Sequence, residues 1–221
     1  MAYPTVDKPY GLKPVNLIGG QVFAGSTRQR RIASGAASIG YGDPLVFETD
    51  GTVKVSDATS SVANSGFAGV FLGCNYVSSV TGQPTYSQAW ISGTAVKSGT
   101  YIYAYVADDP DTLFKAVGVT ASLAVSTTSG FVYSDIGTNV ALVANTLNTT
   151  TNDSQQGLEV GSVATTRSLP IRIVDVVEDT AFVSSGTTYY PEVIVKFNAP
   201  YTTGASGLIV GGHAYYNPLG T

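Results

Sequence analysis

The chain has 221 residues, a formal net charge of −4 and charged side chains at only 12% of its positions. That charged share is about half the usual one, and Gly, Ser, Thr, Val, Ala and Tyr dominate instead, which is typical of all-β proteins. The one cysteine excludes an internal disulfide, no segment approaches the roughly eighteen apolar residues of a membrane-spanning helix, and we expect no secretory signal peptide.

Residues 1–34 are predicted to form an extended N-terminal arm, because three prolines bias the residues before them away from helix. Residues 1–31 carry five basic side chains against the single acidic Asp7, whereas the rest of the chain is acidic in balance. A basic arm on an acidic body favours contact with an acidic neighbour or with a second copy of the chain, and argues against nucleic acid as a partner. We expect its hydrophobic side chains, among them Tyr3, Tyr10 and Leu12, to be docked.

The sole basic cluster of the chain lies at the end of this arm and consists of Arg28, Arg30 and Arg31. Two interpretations stay open for it. It is either a solvated strand face or loop, or a contact with another protein or with a second copy of the chain.

Residues 35–118 are predicted to form a compact β-barrel or sandwich unit. Turn signals, such as the Gly-Asp-Pro at 42–44 and the Asp-Gly at 50–51, recur about every 8–12 residues. Cys74 lies within an apolar run and is interpreted as a small buried hydrophobe.

The cleanest two-residue period lies within residues 93–119. Tyr101, Tyr103 and Tyr105 point to one face of a strand, while the residues between them are apolar and point to the other. This tyrosine stripe is either an interaction surface or a face packed against a partner sheet of the same chain. An acidic turn at residues 108–111 ends the strand, and a second strand follows at 113–117.

The acidic turn offers carboxylate oxygens, which are the ligands that Ca²⁺ prefers. The spacing of Asp108, Asp109 and Asp111 does not match an EF-hand loop, and Pro110 stiffens the backbone between them. We therefore expect a capped turn exposed to solvent, with no metal and no cofactor.

Residues 119–221 are predicted to form a second β-rich unit with more loops. The polar stretch 145–166 is predicted to be a long surface loop, and residues 171–177 a strand. Residues 189–197 are predicted to form another strand, which Pro191 places at the edge of a sheet.

No residue set specifies a reaction, and we expect no enzymatic activity and no catalytic residue. His213 is the only histidine, no G-x-S-x-G elbow is present, and one Cys with one His does not make a zinc site. The glutamates are scattered rather than paired as a glycosidase requires. His213 is interpreted as a structural residue.

Two segments, PYGLKPVNLIGGQVFAGSTRQ at 9–29 and YIYAYVADDPDTLFKA at 101–116, resemble structural proteins of tailed bacteriophages, especially minor head proteins. The segment GYGDPLVFETDGTVKVSDATSSVANSGFAGVFLGC at 40–74 is similar to the small β-barrel of phage capsid decoration proteins. The resemblance implies a non-enzymatic cement protein on the capsid exterior of a virion assembled in the host cytoplasm. It also implies a homo-oligomer, with a trimer favoured, whose partner is the major capsid protein.

Two other functions remain open, namely a tail or head–tail connector protein and a glycan-binding β module. The candidate residues for contact with the capsid or with other copies combine the arm and the tyrosine stripe. They are Tyr3, Tyr10, Lys13, Arg28, Arg30, Arg31, Tyr101, Tyr103 and Tyr105.

Overall fold

The computed structural model describes residues 6–56, 66–166, 168–198, 201–203, 208–210 and 213. These residues are almost entirely strands and loops, which confirms the predicted all-β class. The strands are β1 (Lys13–Leu17), β2 (Arg28–Arg31), β3 (Pro44–Phe47), β4 (Val53–Val55), β5 (Phe67–Val77), β6 (Pro84–Ser87), β7 (Tyr103–Ala107), β8 (Thr112–Val119), β9 (Asn139–Val140), β10 (Leu142–Val143), β11 (Gly157–Glu159), β12 (Ile171–Val176), β13 (Phe182–Ser184), β14 (Thr187–Tyr189), β15 (Glu192–Phe197), β16 (Tyr201–Thr203) and β17 (Leu208–Val210). Short 3-10 helices lie at Tyr133–Asp135, Val160–Ser162 and Glu178–Thr180.

The first sheet contains β2 to β7 in the order β2-β7-β5-β3-β4, with β6 paired to the second half of β5. Ile32, directly after β2, bridges Val53 of β4, so the two ends of this order meet and the sheet curves back on itself. Inside it lie Leu45, Phe71 and Trp90, among other buried side chains.

The long strand β5 bends around this sheet at glycines. Its pairing with β7 shifts register between Phe71 and Gly73, and its pairing with β3 shifts opposite Gly69. Gly69 has a φ of 130°, and a Cβ there would lie 2.4 Å from the carbonyl oxygen of Ala107. Bulges of this kind increase the local twist and allow a strand to turn a corner.

The second sheet has the order β10-β11-β8-β15-β12-β9, and β1 also pairs with β8. Its two end strands, β9 and β10, follow each other in the chain with only Ala141 between them. Two separate hairpins are formed by β13 with β14 and by β16 with β17. The polar stretch 145–166 was predicted to be one long surface loop. The structure corrects this, because its residues Gly157–Glu159 form β11, which pairs parallel to β8.

The two sheets share a hydrophobic cluster. Phe67 of the first sheet stacks on Phe197 of the second with ring centroids 4.8 Å apart, and Phe114 meets Phe197 edge to face at 5.6 Å. Leu12 and Val70 belong to the same cluster. This shared core fixes the orientation of one sheet against the other.

The division between the sheets differs from the predicted boundaries. β7 and β8 are consecutive strands, but they lie in different sheets, so the change of sheet falls at the acidic turn and not after residue 118. The predicted arm over residues 1–34 contributes β1 to the second sheet and β2 to the first. Leu12 is buried and Tyr10 half-buried, in line with the expected docking, whereas Ile18 and Val22 between the two strands are 51% and 75% exposed.

The predicted edge position of residues 189–197 is wrong. β15 pairs with β12 on one side and with β8 on the other, so it lies inside the second sheet. Pro191 precedes β15, and its carbonyl accepts a hydrogen bond of 2.8 Å from Gly118 of β8, so the proline needs no N–H to be compatible with an inner strand.

Candidate interaction face

A row of polar and aromatic residues crosses the outer surface of the first sheet. Arg31 pairs with Tyr103, Tyr103 with Asn75, and Asn75 with Tyr86, which joins four neighbouring strands. Residues paired in this way point to the same side of a sheet. The alternate residues of β7, such as Ala104, are buried on the inner side.

We call this surface the tyrosine face. Tyr86 is 72% exposed and Tyr101 is 56% exposed, whereas Tyr103 and Tyr105 are half-buried. The stripe predicted from the sequence therefore lies on an outer surface. The tyrosine face consists of Gln29, Arg31, Asn75, Tyr86, Tyr101, Tyr103 and Tyr105.

Contacts within the tyrosine face hold several of its side chains in place. The guanidinium carbon of Arg31 lies 3.8 Å from the centre of the Tyr101 ring. Tyr101 and Tyr103 meet edge to face at 6.5 Å, and Asn75 Nδ2 donates a hydrogen bond of 2.8 Å to the hydroxyl of Tyr105. Side chains ordered before binding lose less entropy when a partner arrives.

Two grooves flank Tyr101 and Tyr103. The larger has a volume of about 670 Å³ and lies between these tyrosines, Gln29, Arg31 and the turn that joins β3 to β4. The smaller, of about 330 Å³, lies on the other side and is lined by Asn75, Val77 and Pro84. The tyrosines thus form a ridge between two concave surfaces.

The three arginines of the basic cluster lie on β2, where successive side chains point to opposite faces of the sheet. Arg28 and Arg30 face the inner side and contact Asp108, with Arg28 Nε at 3.0 Å and Arg30 Nη2 at 3.4 Å from Oδ2. Arg31 points outwards onto the tyrosine face. The three arginines therefore do not form one basic patch.

The acidic turn is partly buried, which corrects the expectation of a turn exposed throughout. Asp108 is 6% exposed and contacts Arg28, while Asp111 Oδ1 lies 2.7 Å from Lys196 Nζ. In the described part of the chain, no group of three or more His, Cys, Asp or Glu side chains is arranged to hold a metal ion.

Tyr10 and Lys13 lie away from the tyrosine face, against the second sheet. The Tyr10 hydroxyl donates to Glu192 Oε1, which also lies 3.1 Å from Lys115 Nζ. Lys13 Nζ is 4.7 Å from the centre of the Tyr10 ring. Burial, reinforced by the carboxylate of Glu192, raises the pKa of Tyr10 far above its ordinary value. Tyr3 lies outside the described residues.

A buried polar junction connects the turn before β3 with residues 152–156. Asp43 Oδ2 accepts a hydrogen bond of 2.7 Å from the Gly40 N–H, and Ser154 N–H donates to the Tyr41 carbonyl. Burial raises the pKa of Asp43 to about 6, although hydrogen bonds from Ser154, Gly40 and Gln156 act in the opposite direction. Asp43, Ser154 and Gln156 are all buried.

His213 is buried as well. Its backbone N–H donates to the Asn198 carbonyl at 2.9 Å, and its ring lies edge to face against Phe197. Burial lowers the pKa of His213 to about 4, partly offset by the negative charges of Asp108 and Asp109. These contacts support the structural role predicted for it.

Asn75 and Tyr86 belong to the tyrosine face but were not among the predicted residues. The Gly-Gln-Pro turn at 82–84 indicated a turn between two strands, but the register of β5 against β6 was needed to place these side chains beside Tyr103. That register depends on the length of the intervening turn.

Comparison of the chain with family models, with curated proteins and with solved structures gave no match. Among the described residues, none of the helices has the length and hydropathy of a membrane-spanning segment.

Proposed function

We propose that this chain is a structural protein of a tailed-bacteriophage virion, a non-enzymatic cement or decoration protein. It binds the outer surface of major capsid protein subunits and stabilises the mature, DNA-filled head. The resemblance of residues 9–29, 40–74 and 101–116 supports this proposal, and the curved first sheet is of the kind that the resemblance implies.

The tyrosine face is the observation that carries the proposal. Tyr and Arg are enriched at the centres of protein interfaces, because they supply a large contact area together with hydrogen-bonding groups. Tyr86 and Tyr101 are exposed, and Arg31 is held against Tyr101. We assign the shell contact to this face, since both strands of the predicted arm, β1 and β2, pair with other strands of the chain itself.

Binding of this kind stabilises the head by mass action. A protein that binds the mature shell and not its disrupted form lowers the free energy of the mature form. Several copies acting together strengthen the effect, and we expect the bound form to be a homo-oligomer, with a trimer favoured.

The test uses heads from which the protein has been stripped. Stripped heads should release DNA at a lower temperature than intact ones, and added wild-type protein should restore the original temperature. Tyr101→Ala combined with Tyr103→Ala should fail to restore it. Tyr133→Ala is the matched control, because Tyr133 is 64% exposed but lies outside the tyrosine face. Equal release temperatures with and without the protein would contradict a cement role.

Copy number separates the cement role from a connector role. A cement protein is present in hundreds of copies per particle, whereas a connector ring has about six or twelve. A glycan array tests the remaining alternative, since grooves lined by tyrosines and polar side chains also suit sugars. Binding of a glycan that Tyr101→Ala abolishes, with no binding to heads, would favour that alternative.

A further inference from the structure

β2 lies at an end of the first sheet and borders the larger groove. Its residues pair with β7 along one edge. On the other edge of β2, the described residues make one strand contact, the bridge between Ile32, which follows β2, and Val53 of β4. Along β2 itself, the larger groove lies between Gln29 and Arg31 on one side and the turn at residues 50–52 on the other.

The hydrogen-bond pattern shows which backbone groups face the groove. The Ile32 N–H donates to the Ile102 carbonyl at 3.0 Å. Hydrogen-bonded and non-hydrogen-bonded pairs alternate along an antiparallel ladder. Arg30 therefore directs its N–H towards β7, while Gln29 and Arg31 direct theirs away from β7. Such a strand edge is a template on which another extended segment adds.

The charges beside this edge indicate the chemistry of the added segment. Arg31 is exposed, and Arg28 keeps 61% of its side chain exposed although it contacts Asp108. Asp50 is the carboxylate among the groove's lining residues, and its Oδ1 already accepts a hydrogen bond from the Thr52 hydroxyl. Because opposite charges on neighbouring strands attract, an acidic side chain opposite Arg31 is favoured.

We propose that β2 is a strand-addition site, at which an extended acidic segment of a partner protein pairs with the edge at Gln29 and Arg31 and occupies the larger groove. The proposed function supplies only the identity of that partner, a shell subunit. The mode of binding goes beyond the tyrosine face, because it uses backbone groups as well as side chains.

The probe is a blocked eight-residue peptide of alternating Glu and Val, and its control has Lys in place of Glu. The Glu peptide should bind the full chain, and it should slow hydrogen exchange at the N–H groups of Gln29 and Arg31. Gln29→Pro removes an outward N–H while leaving the ladder to β7 intact, since proline is tolerated where the N–H faces away from the sheet. It should weaken binding at least about tenfold, whereas Gln29→Ala, which keeps the N–H, should change it less than about threefold.

Arg31→Glu provides a second variant that does not alter the backbone. It should reverse the preference, so that the Lys peptide binds better than the Glu peptide. Fluorescence of Trp90, which lies inside the first sheet, confirms that each variant is folded.

Several results overturn the inference. They are failure of the Glu peptide to bind, equal binding by Gln29→Pro and wild type, and an unchanged preference in Arg31→Glu. A dimer of the chain that Gln29→Pro dissociates would show that the occupant is a second copy and not a partner.

Assays on phage heads separate this inference from the proposed function. If Gln29→Pro restores the DNA-release temperature as wild type does, the inference fails and the cement role stands. If the peptide binds as described but wild-type protein does not protect stripped heads, the cement role fails and the strand-addition site stands.

Discussion

Arg28 Nε lies 3.0 Å from Oδ2 of Asp108, a side chain that is almost completely buried. The pair joins the start of β2 to the end of β7, at the point where the chain leaves the first sheet. Arg30 approaches the same carboxylate, and its guanidinium carbon lies 5.5 Å from the centre of the Phe47 ring. A carboxylate placed among these groups contributes to the fold through charge-assisted contacts.

Asp108→Asn should destabilise the protein by about 1–3 kcal/mol, because it removes the charge that the two arginines contact. The effect stays below that of a fully buried pair, since Arg28 is largely exposed. Urea denaturation measures the change. Asp179→Asn, at an exposed position, is the control and should change the free energy of unfolding by less than about 0.5 kcal/mol. An Asp108→Asn variant as stable as this control would contradict the prediction.

Gly11→Ala should destabilise the protein by at least about 3 kcal/mol, because the new methyl group meets rigid backbone. Gly11 has a φ of 74°, and a Cβ there would lie 2.5 Å from the Gly42 carbonyl oxygen and 2.6 Å from Ser154 Cβ. Gly20 has a similar φ of 81° but no atom within 4 Å of its Cβ position. Gly20→Ala should therefore cost only about 1 kcal/mol. Similar midpoints of thermal unfolding for the two variants would show that the close approach at Gly11 is unimportant.

Asp43 should make the folded state less stable as the pH rises from about 4 to 6. Its pKa is raised by burial from 3.8 to about 6, so in this range the folded state holds a proton that the unfolded state releases. The loss amounts to about 3 kcal/mol. Asp43→Asn resembles the protonated side chain and should remove this contribution, so that the stability of the variant relative to wild type rises by about 3 kcal/mol between pH 4 and 6. If the stabilities of the variant and wild type keep a constant difference between pH 3.5 and 7, the prediction fails.

His213 should have the opposite effect on the pH dependence of stability, because it destabilises the folded state as the pH falls. Its pKa is lowered by burial from 6.5 to about 4, so the unfolded state binds a proton that the folded state excludes. The stability from this residue is complete above pH 6.5 and falls by about 3 kcal/mol as the pH decreases to 4. His213→Gln should remove this contribution, so that the stability of the variant relative to wild type rises by about 3 kcal/mol as the pH decreases from 6.5 to 4. In the wild type the two slopes nearly cancel, and each becomes visible in the variant that lacks the other group.

Tyr10 should stay protonated between pH 9 and 11 in the folded protein, because burial and the carboxylate of Glu192 raise its pKa far above its ordinary value. Tyr10→Phe should therefore leave the absorbance change between pH 9 and 11 unaltered. The same Tyr10→Phe variant should lose about 1–2 kcal/mol of stability, since the nearly buried Glu192 loses a hydrogen-bond donor. A smaller absorbance change in Tyr10→Phe would show that Tyr10 ionises freely.

The two sheets should unfold in one transition. Phe67 and Val70 of the first sheet share a hydrophobic cluster with Phe114 and Phe197 of the second, so neither sheet keeps its core alone. Trp90, the single tryptophan, reports on the first sheet, while far-ultraviolet circular dichroism reports on both. Coincident urea transitions are expected from the two probes. A separate, earlier change in Trp90 fluorescence would indicate two independent units.

The strands β7 and β8 were predictable from the sequence, because the alternation of their side chains between two faces is a local pattern. A period of two in residues 101–106 assigns Tyr103 and Tyr105 to one face, and the structure has them there. The same period separates Arg31 from Arg28 and Arg30, but it becomes informative only once residues 28–31 are known to be a strand.

The assignment of strands to sheets was not predictable, because it depends on contacts between residues far apart in the chain. β15 was placed at an edge on account of Pro191, yet the strand begins one residue later and both its edges are paired. Asp43 and Ser154 likewise meet only in the folded chain, and no local pattern marks their junction.

The crossing of the chain between sheets has a consequence during synthesis on the ribosome. All strands of the first sheet lie within residues 28–107, so this sheet has its full set of strands once that part has emerged. β1 is made before any of them, but its partner β8 emerges after all of them. Among the described strands, β1 is therefore the first to be translated, yet it can pair only when β8 emerges, after the first sheet has all of its strands.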